Sequence, residues 1–299
     1  MVPAGDSAAF HRHWVALPLE IAIVKSMTIP ETRLEKMPWL LRFMQQIEFP
    51  HKLGVCDRLF GRALAARGVC WVHTAARIPW KLDLVDSTHR WIVYGKYEGA
   101  GFLEWAKAFL PRNGIVVDSG ANIGQMSLYL AQCIPEGRVF AFEPGKAQAD
   151  WLQECLELNP SLPVEVIRLG LGAKPSVLSL IDAGLATRHG AQNYVSESGG
   201  IPISVVGLSD EMAGRGIKGV DLWKLDVEGY EFQALQGAER LLKEQSIRAL
   251  YIELQDCYQV RIREYLRSFG YECYAISGRG KPKPADSFQN FGMALFLRK

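Results

Sequence analysis

The stretch Ile115-Val-Val-Asp-Ser-Gly-Ala-Asn-Ile-Gly124 decides the fold of this chain. It predicts an apolar strand that ends in a carboxylate at Asp118, a tight turn through Gly120 and Gly124, and a helix over residues 125–133. Glycines in such a turn let backbone amides approach a small ligand at the carboxyl edge of a sheet. The stretch therefore predicts a ligand site at the first strand of an α/β domain.

A second acidic residue follows the next predicted strand. Residues 138–142 form an apolar run that ends in Glu143, nineteen positions after Gly124. In nucleotide-binding α/β folds, a carboxylate near this distance binds the two hydroxyls of a ribose. We therefore predict that the ligand contains adenosine.

The glycine spacing distinguishes between two kinds of adenosine cofactor. A dinucleotide fingerprint needs G-x-G-x-x-G, so that a helix N-terminus meets the pyrophosphate. Here three residues, including Asn122, separate Gly120 from Gly124. The charge of Asp118 would repel a pyrophosphate but suits the α-amino cation of S-adenosylmethionine (SAM), directly or through water. The sequence favours SAM, and the simpler alternative for Asp118 is a cap on the following helix.

Four motifs in this order resemble the FkbM-type family of SAM-dependent O-methyltransferases. They are Tyr94-Gly-Lys-Tyr97-Glu98-Gly, the Asp118–Gly124 run, Phe142-Glu143-Pro144, and Lys224-Leu-Asp226-Val-Glu228-Gly229. The likeness covers roughly the last two thirds of the chain, and Ser119 departs from it because the family more often has an apolar residue there. We expect Ser119 to be exposed in the turn. The resemblance implies a Rossmann-like sheet, methyl transfer to a hydroxyl, and a Glu98 that closes over the methionine end of SAM.

Beyond residue 90, alternating strand and helix patterns indicate an α/β fold with a largely parallel sheet. Strands are predicted at 115–118, 138–143, 164–169, 177–182, 203–206, 220–226, 249–254, 271–277 and 293–297, with crossover helices near 124–134, 146–158, 231–244 and 259–269. The last two strands can pair as a hairpin, which gives the antiparallel C-terminal strand of class I methyltransferases. The predicted domains are an extension over residues 1–90 and a methyltransferase domain over residues 91–299.

The extension is predicted to contain two helices and a hairpin. Pro38 begins an amphipathic helix, and a second helix covers residues 51–67. Strand-like runs at 80–85 and 90–94 flank a short polar turn, as in a hairpin. Core packing is the simplest explanation of the apolar stripes, and a lid or a homodimer interface is the functional alternative.

Three side chains spaced by two, Lys224, Asp226 and Glu228, lie on one predicted strand and at its end. That spacing directs them to one side, at the sheet edge where ligands bind. Deprotonating an aliphatic hydroxyl needs a base, and the candidates are Asp226, Glu228 and His189, the last in a loop with Asn193. The alternatives are that Glu228 complements the next helix, that Lys224 pairs with Asp226, and that His189 is an ordinary surface residue.

The predicted cofactor is SAM, with adenine between Pro144 and Leu171 at neighbouring strand ends. Leu171 suits a place in the core equally well. A divalent cation on Asp226, Glu228 and Glu253 would be a second way to acidify a hydroxyl. Their spacing does not require one, so no metal site is predicted.

Bulk properties limit the partners. The net charge of +2 comes from interspersed residues, without the basic stripe that nucleic-acid binding needs. The apolar run at 14–24 contains Pro18 and Glu20 and is too short to span a bilayer. We expect a cytoplasmic enzyme acting on a small hydroxylated acceptor. The alternatives are a nicotinamide-dependent oxidoreductase and a non-catalytic binding module on the same fold.

Overall fold

A computed structural model describes residues 34–47, 49–74, 78–95, 100–182, 193–196, 199–255, 258–276, 280–285 and 292–298. None of the helices in this part of the chain combines the length and the apolar character that crossing a bilayer demands.

The described part of the extension forms a three-stranded sheet with short helices around it. Its elements are β1 (Leu34–Glu35), α1 (Trp39–Met44), α2 (Lys52–Cys56), a π-helical turn (Asp57–Gly61), α3 (Arg62–Ala65), β2 (Val69–His73), β3 (Pro79–Asp83) and α4 (Ser87–Val93). Strand β2 is central, parallel to β1 and antiparallel to β3. The helix predicted over 51–67 is thus interrupted by a π-helical turn.

The predicted hairpin of residues 80–85 and 90–94 is wrong. Strand β3 pairs with β2, and the chain after it forms helix α4. Asp86 caps this helix, since its carboxylate accepts the backbone N–H of Thr88 at 2.7 Å. Arg90 points inward and donates to Asp57 and to the carbonyl of Leu84, at 2.8 and 2.9 Å. A helix cap and the ion pair of Arg90 with Asp57 outweigh the short alternation that suggested a strand.

The rest of the described chain alternates strands and helices. The elements are α5 (Ala100–Phe109), β4 (Ile115–Ser119), α6 (Gln125–Cys133), β5 (Arg138–Phe142), α7 (Lys146–Glu157), β6 (Val164–Ile167), β7 (Gly170–Leu171), β8 (Ser176–Asp182), β9 (Asn193–Ser196), β10 (Ile201–Val206), α8 (Leu208–Gly214), β11 (Leu222–Leu225), α9 (Glu231–Gly237), α10 (Glu239–Lys243), β12 (Ala249–Leu254), α11 (Gln259–Ser268), β13 (Tyr271–Ile276), β14 (Pro282–Pro284) and β15 (Gly292–Arg298).

The main sheet has the strand order β14-β13-β15-β12-β11-β4-β5-β6. Strands β6, β5, β4, β11 and β12 are parallel, and β15 runs antiparallel to both of its neighbours. The predicted α/β class with an antiparallel C-terminal strand is therefore confirmed. The chain leaves β4 toward β5 and later returns to its other side with β11, so β4 lies at the switch point where α/β sheets bind ligands.

Two of the predicted strands belong to a different sheet. Strands β8 and β10 pair antiparallel in a four-stranded sheet of order β7-β10-β8-β9. Antiparallel strands need no crossover helix, and residues 176–206 hold none among those described. The expectation of one sheet with regular alternation is wrong for this segment.

The extension packs against α7 of the main domain. The indole N–H of Trp151 donates to the carbonyl of Lys81 at 2.7 Å, and the amide of Asn159 donates to the carbonyl of Pro79 at 2.9 Å. Apolar residues of β2 and β3 share one buried cluster with residues of α6 and α7. The extension therefore packs against helices α6 and α7 on one side of the main domain.

Candidate functional site

The glycine turn is folded tightly against the end of β11. The backbone N–H groups of Gly120 and Ala121 both donate to the carbonyl of Phe142 at 3.0 Å. Gly120 has a φ of +71°, and a Cβ there would lie 1.9 Å from the carbonyl oxygen of Asp226. Only glycine allows these two chain segments to approach so closely. The turn after β4 and the tip of β11 are thereby held in contact.

Replacing Gly120 by alanine is expected to destabilise the protein more than the left-handed backbone alone explains. Gly216 is the matched control, because it has the same φ of +71° and nothing within 4 Å of a built Cβ. Gly216→Ala should cost about 1–2 kcal/mol for backbone strain. Gly120→Ala should cost about 1–3 kcal/mol more, because its Cβ would overlap the carbonyl oxygen of Asp226. Urea unfolding of both variants measures the difference, and equal losses would contradict the contact.

Glu143 connects the glycine turn after β4 with the segment after β5 through hydrogen bonds. One carboxylate oxygen accepts the N–H of Asn122 in the turn, and the other accepts the N–H of Gly145, both at 2.8 Å. Burial raises the pKa of Glu143, and the N–H donors of Gly145 and Asn122 offset part of that shift. Asn122 itself is exposed, with a φ of +50°. Two residues predicted separately for the cofactor site, Glu143 and Asn122, are therefore in direct contact.

Lys224 joins the acidic ends of β4 and β11. Its ammonium lies 3.4 Å from Asp118 and 3.2 Å from Asp226, and it donates to the carbonyl of Gly120 at 3.1 Å. Burial by itself lowers the pKa of Lys224, but the carboxylates of Asp226 and Asp118 outweigh it and raise the pKa above its usual range. The pairing with Asp226, foreseen as an alternative, is present, and Asp118 is the second partner.

The two carboxylates differ in accessibility. Asp118 has no exposed side-chain surface, and the hydroxyl of Ser127 donates to it at 2.5 Å. Asp226 keeps 31% of its side-chain surface exposed. Of these two acids, Asp226 is the one that a bound molecule can reach from solvent. A direct role of Asp118 toward a cofactor stays a prediction.

The expectation that Ser119 is exposed in the turn is wrong. Ser119 is fully buried, and its hydroxyl accepts the indole N–H of Trp223 at 2.7 Å. A buried indole N–H needs an acceptor. The departure from an apolar residue at this position is therefore matched by a tryptophan on the neighbouring strand.

Lys224, Asp226 and Glu228 were predicted to point to one side of a strand and its end, and this does not hold for Glu228. Strand β11 stops at Leu225, and Glu228 has a φ of +53°, so the strand rule does not extend to it. Glu231, which the sequence prediction missed, accepts the backbone N–H groups of Val227 and Gly229 at 3.0 and 3.1 Å. An acidic residue in the first turn of α9 was the available signal. Glu231 takes the helix-end role considered for Glu228.

Glu253 on β12 completes an acidic group at this sheet edge. Burial, followed by the charges of Asp226, Glu228 and Glu231, raises its pKa to about 9. Burial and these charges therefore favour the protonated form of Glu253. Within the described ranges, no group of three or more His, Cys, Asp or Glu side chains is arranged to hold a metal ion.

The remaining predicted residues lie in three different settings. Gly124 immediately precedes α6, and a Cβ there would lie 2.1 Å from Cδ1 of Leu152, so glycine allows α7 to pack closely. Pro144 is half-buried beside β7, whereas Leu171 is buried in the main core cluster. Their adenine contacts stay predictions. His189 and Glu98 lie outside the described residues.

The Rossmann-like sheet, its antiparallel β15, and the glycine turn beside acidic strand ends define a class I methyltransferase fold. Residues 118–273 match the family model described as the methyltransferase FkbM domain. The chain belongs to this family, which confirms the resemblance read from its motifs.

Two curated relatives and one solved structure illustrate the similarity. Methyltransferase sdnD of Sordaria araneosa is 29% identical over an alignment of 163 residues that covers 44% of this chain and 63% of that protein. Hexuronic acid methyltransferase AglP of Haloferax volcanii is 28% identical over 141 residues, 47% of this chain and 55% of that protein. The matches span less than two thirds of either relative. A SAM-dependent O-methyltransferase from Thermotoga maritima aligns at 14% identity with a TM-score of 0.38, covering 67% of this chain and 64% of that one.

Proposed function

We propose that this chain is a SAM-dependent O-methyltransferase that acts on a hydroxyl of a small metabolite or sugar. The observation that carries the proposal is the junction of three strand ends at the switch point of the sheet. Glu143 binds the glycine turn through Asn122, the turn touches the backbone of Asp226, and Lys224 links Asp226 to Asp118. This junction lies in a chain of the FkbM methyltransferase family.

The residues present fit the chemistry of SAM. Each carboxylate oxygen of Glu143 accepts one backbone N–H and keeps a lone pair that can accept a ribose hydroxyl. Asp118, Asp226 and one Lys224 leave a net negative charge at the β4–β11 junction, which favours a ligand with cationic groups. A pyrophosphate would be repelled by the same charge, which argues against a dinucleotide.

When bound, SAM would supply a methyl group on a sulfonium, which is already a strong donor. The chain has to align the acceptor oxygen and remove its proton. Alignment in well-oriented systems lowers barriers by roughly 7–11 kcal/mol. The carboxylate of Asp226 would take up the hydroxyl proton of the acceptor. Asp226 is proposed for this step because its carboxylate is half-buried but open to solvent.

The acceptor class is inferred from chemistry and from relatives. The name of AglP describes methylation of a hexuronic acid. A sugar or other polyol has the hydroxyl that a carboxylate base can deprotonate. We therefore propose a small hydroxylated acceptor, with uronic acids as the first compounds to try.

Binding of SAM and of its demethylated product is the direct test. Isothermal calorimetry should give micromolar dissociation constants for both, and Glu143→Gln should weaken them about 10- to 100-fold, since a hydrogen bond to a charged group contributes about 1.5–3 kcal/mol. Glu136→Gln is the control, because Glu136 pairs with Arg112 at the surface. Absence of binding to the unaltered protein, or equal affinities for both variants, would contradict the proposal.

A further inference from the structure

We propose that Glu253 is a positioning residue for Asp226: the two side chains share one proton, which Glu253 holds while Asp226 stays ionised to receive the acceptor proton. The transfer of the acceptor proton to Asp226 rests on the proposed function. The shared proton itself is a property of the ligand-free protein and can be measured without turnover.

The strand register brings the two carboxyls together. Strands β11 and β12 are parallel neighbours, with Lys224 opposite Tyr251 and Leu225 opposite Ile252. The next residues are Asp226, just past the end of β11, and Glu253 on β12. Side chains at matching positions of parallel neighbours point to the same face of the sheet, so the two carboxyls lie side by side. Two ionised carboxylates have only acceptor atoms, so a hydrogen bond between them requires one proton.

Burial assigns that proton to Glu253. Its Oε2 atom is buried and has no hydrogen-bond partner among the described residues. A buried charge without a partner is costly, so the neutral form is favoured there. The acidic groups that face Glu253 are Asp226, Glu228 and Glu231, and each of them disfavours a further negative charge.

Lys224 assigns the negative charge to Asp226. The ammonium of Lys224 lies 3.2 Å from Oδ2 of Asp226. Asp226 thus has a cation on one side and the neutral carboxyl of Glu253 on the other. Both neighbours hold its carboxylate in place. Loss of the proton from Glu253 would put a second charge against Asp226 and remove that hydrogen bond.

Proton linkage in the free protein is the first test. The pKa of Glu253 rises from 4.5 to about 9 on folding, so its stabilising contribution is complete below 4.5 and is lost as the pH rises through 9. Between pH 6 and pH 8, the ratio of folded to unfolded protein should fall about tenfold more per pH unit in the unaltered protein than in Glu253→Gln. Urea unfolding in a buffer with chelator measures both slopes.

Two further variants keep this test decisive. Glu136→Gln, at an exposed ion pair, should keep the slope of the unaltered protein. Asp226→Asn removes the negative neighbour and should reduce the slope, which provides a readout if Glu253→Gln does not fold. Equal slopes for the unaltered protein and for both site variants would overturn the shared proton, whether or not the protein binds SAM.

The pH profile of turnover is the second test and addresses positioning. Methyl transfer from labelled SAM should fall as the pH rises past about 9 in the unaltered protein, with the loss following the titration of Glu253. In Glu253→Gln this alkaline loss should be absent, because glutamine donates a hydrogen bond at every pH. An identical alkaline loss in both proteins would overturn the positioning role even with the linkage present.

Discussion

Asp226→Asn should lower the turnover number for methyl transfer about 10²- to 10⁴-fold, the usual contribution of a positioned base. Asparagine keeps the size of the side chain and an oxygen for Lys224, but it cannot take up the acceptor proton. The affinity for SAM should change little, because the ribose is assigned to Glu143. Incubation with labelled SAM and a panel of uronic acids, together with a metabolite extract, gives the rate.

Asp210→Asn is the matched control for this variant, since the side chain of Asp210 is 80% exposed and lies on α8. Its turnover number should equal that of the unaltered protein. If Asp226→Asn also turned over at the unaltered rate, Asp226 could not be the base. A loss of SAM binding parallel to the loss of rate would instead assign Asp226 to the cofactor.

Lys224→Met should lower the free energy of unfolding by about 3–5 kcal/mol, the usual cost of breaking a buried ion pair from one side. The methionine keeps the volume of the stem, but it leaves the fully buried Asp118 without its cation. The carbonyl of Gly120 would also lose a donor. Chemical unfolding at neutral pH measures the loss.

The control for this change is Lys146→Met, which removes a lysine that is 84% exposed and pairs with Asp150 within α7. It should alter stability by less than about 1 kcal/mol. Adding Asp118→Asn to Lys224→Met should recover part of the stability, because the uncompensated charge is removed. Equal losses for Lys224→Met and Lys146→Met would mean that Asp118 is not held by Lys224.

The local part of the site could be predicted from the sequence. A glycine turn after an apolar strand has few conformations, and Glu143 follows the next strand of a parallel pair. These two facts suffice to bring Glu143 to Asn122, as observed. The antiparallel β15 was equally predictable, because the last two apolar runs have no helix between them.

The non-local part could not be predicted. The partner of the Ser119 hydroxyl is Trp223, and that of Asp118 is Lys224, both on a strand more than a hundred residues later. The spacing of residues along the sequence does not show which distant residues come into contact. Helix α4 was missed because one cap and one ion pair decided a segment whose alternation suited a strand. The separate sheet of β8 and β10 was missed because strand patterns do not reveal their partners.

The packing of β2 and β3 on α6 and α7 limits how far this chain can be truncated. A fragment limited to residues 118–273, the limits of the family match, would uncover Leu128, Leu152 and Cys155, whose buried neighbours include Trp80 and Leu82. It would also lose β15, which would leave the backbone hydrogen-bonding groups on that edge of β12 without their partners. A fragment that folds on its own therefore has to extend beyond residues 118–273, the limits of the family match.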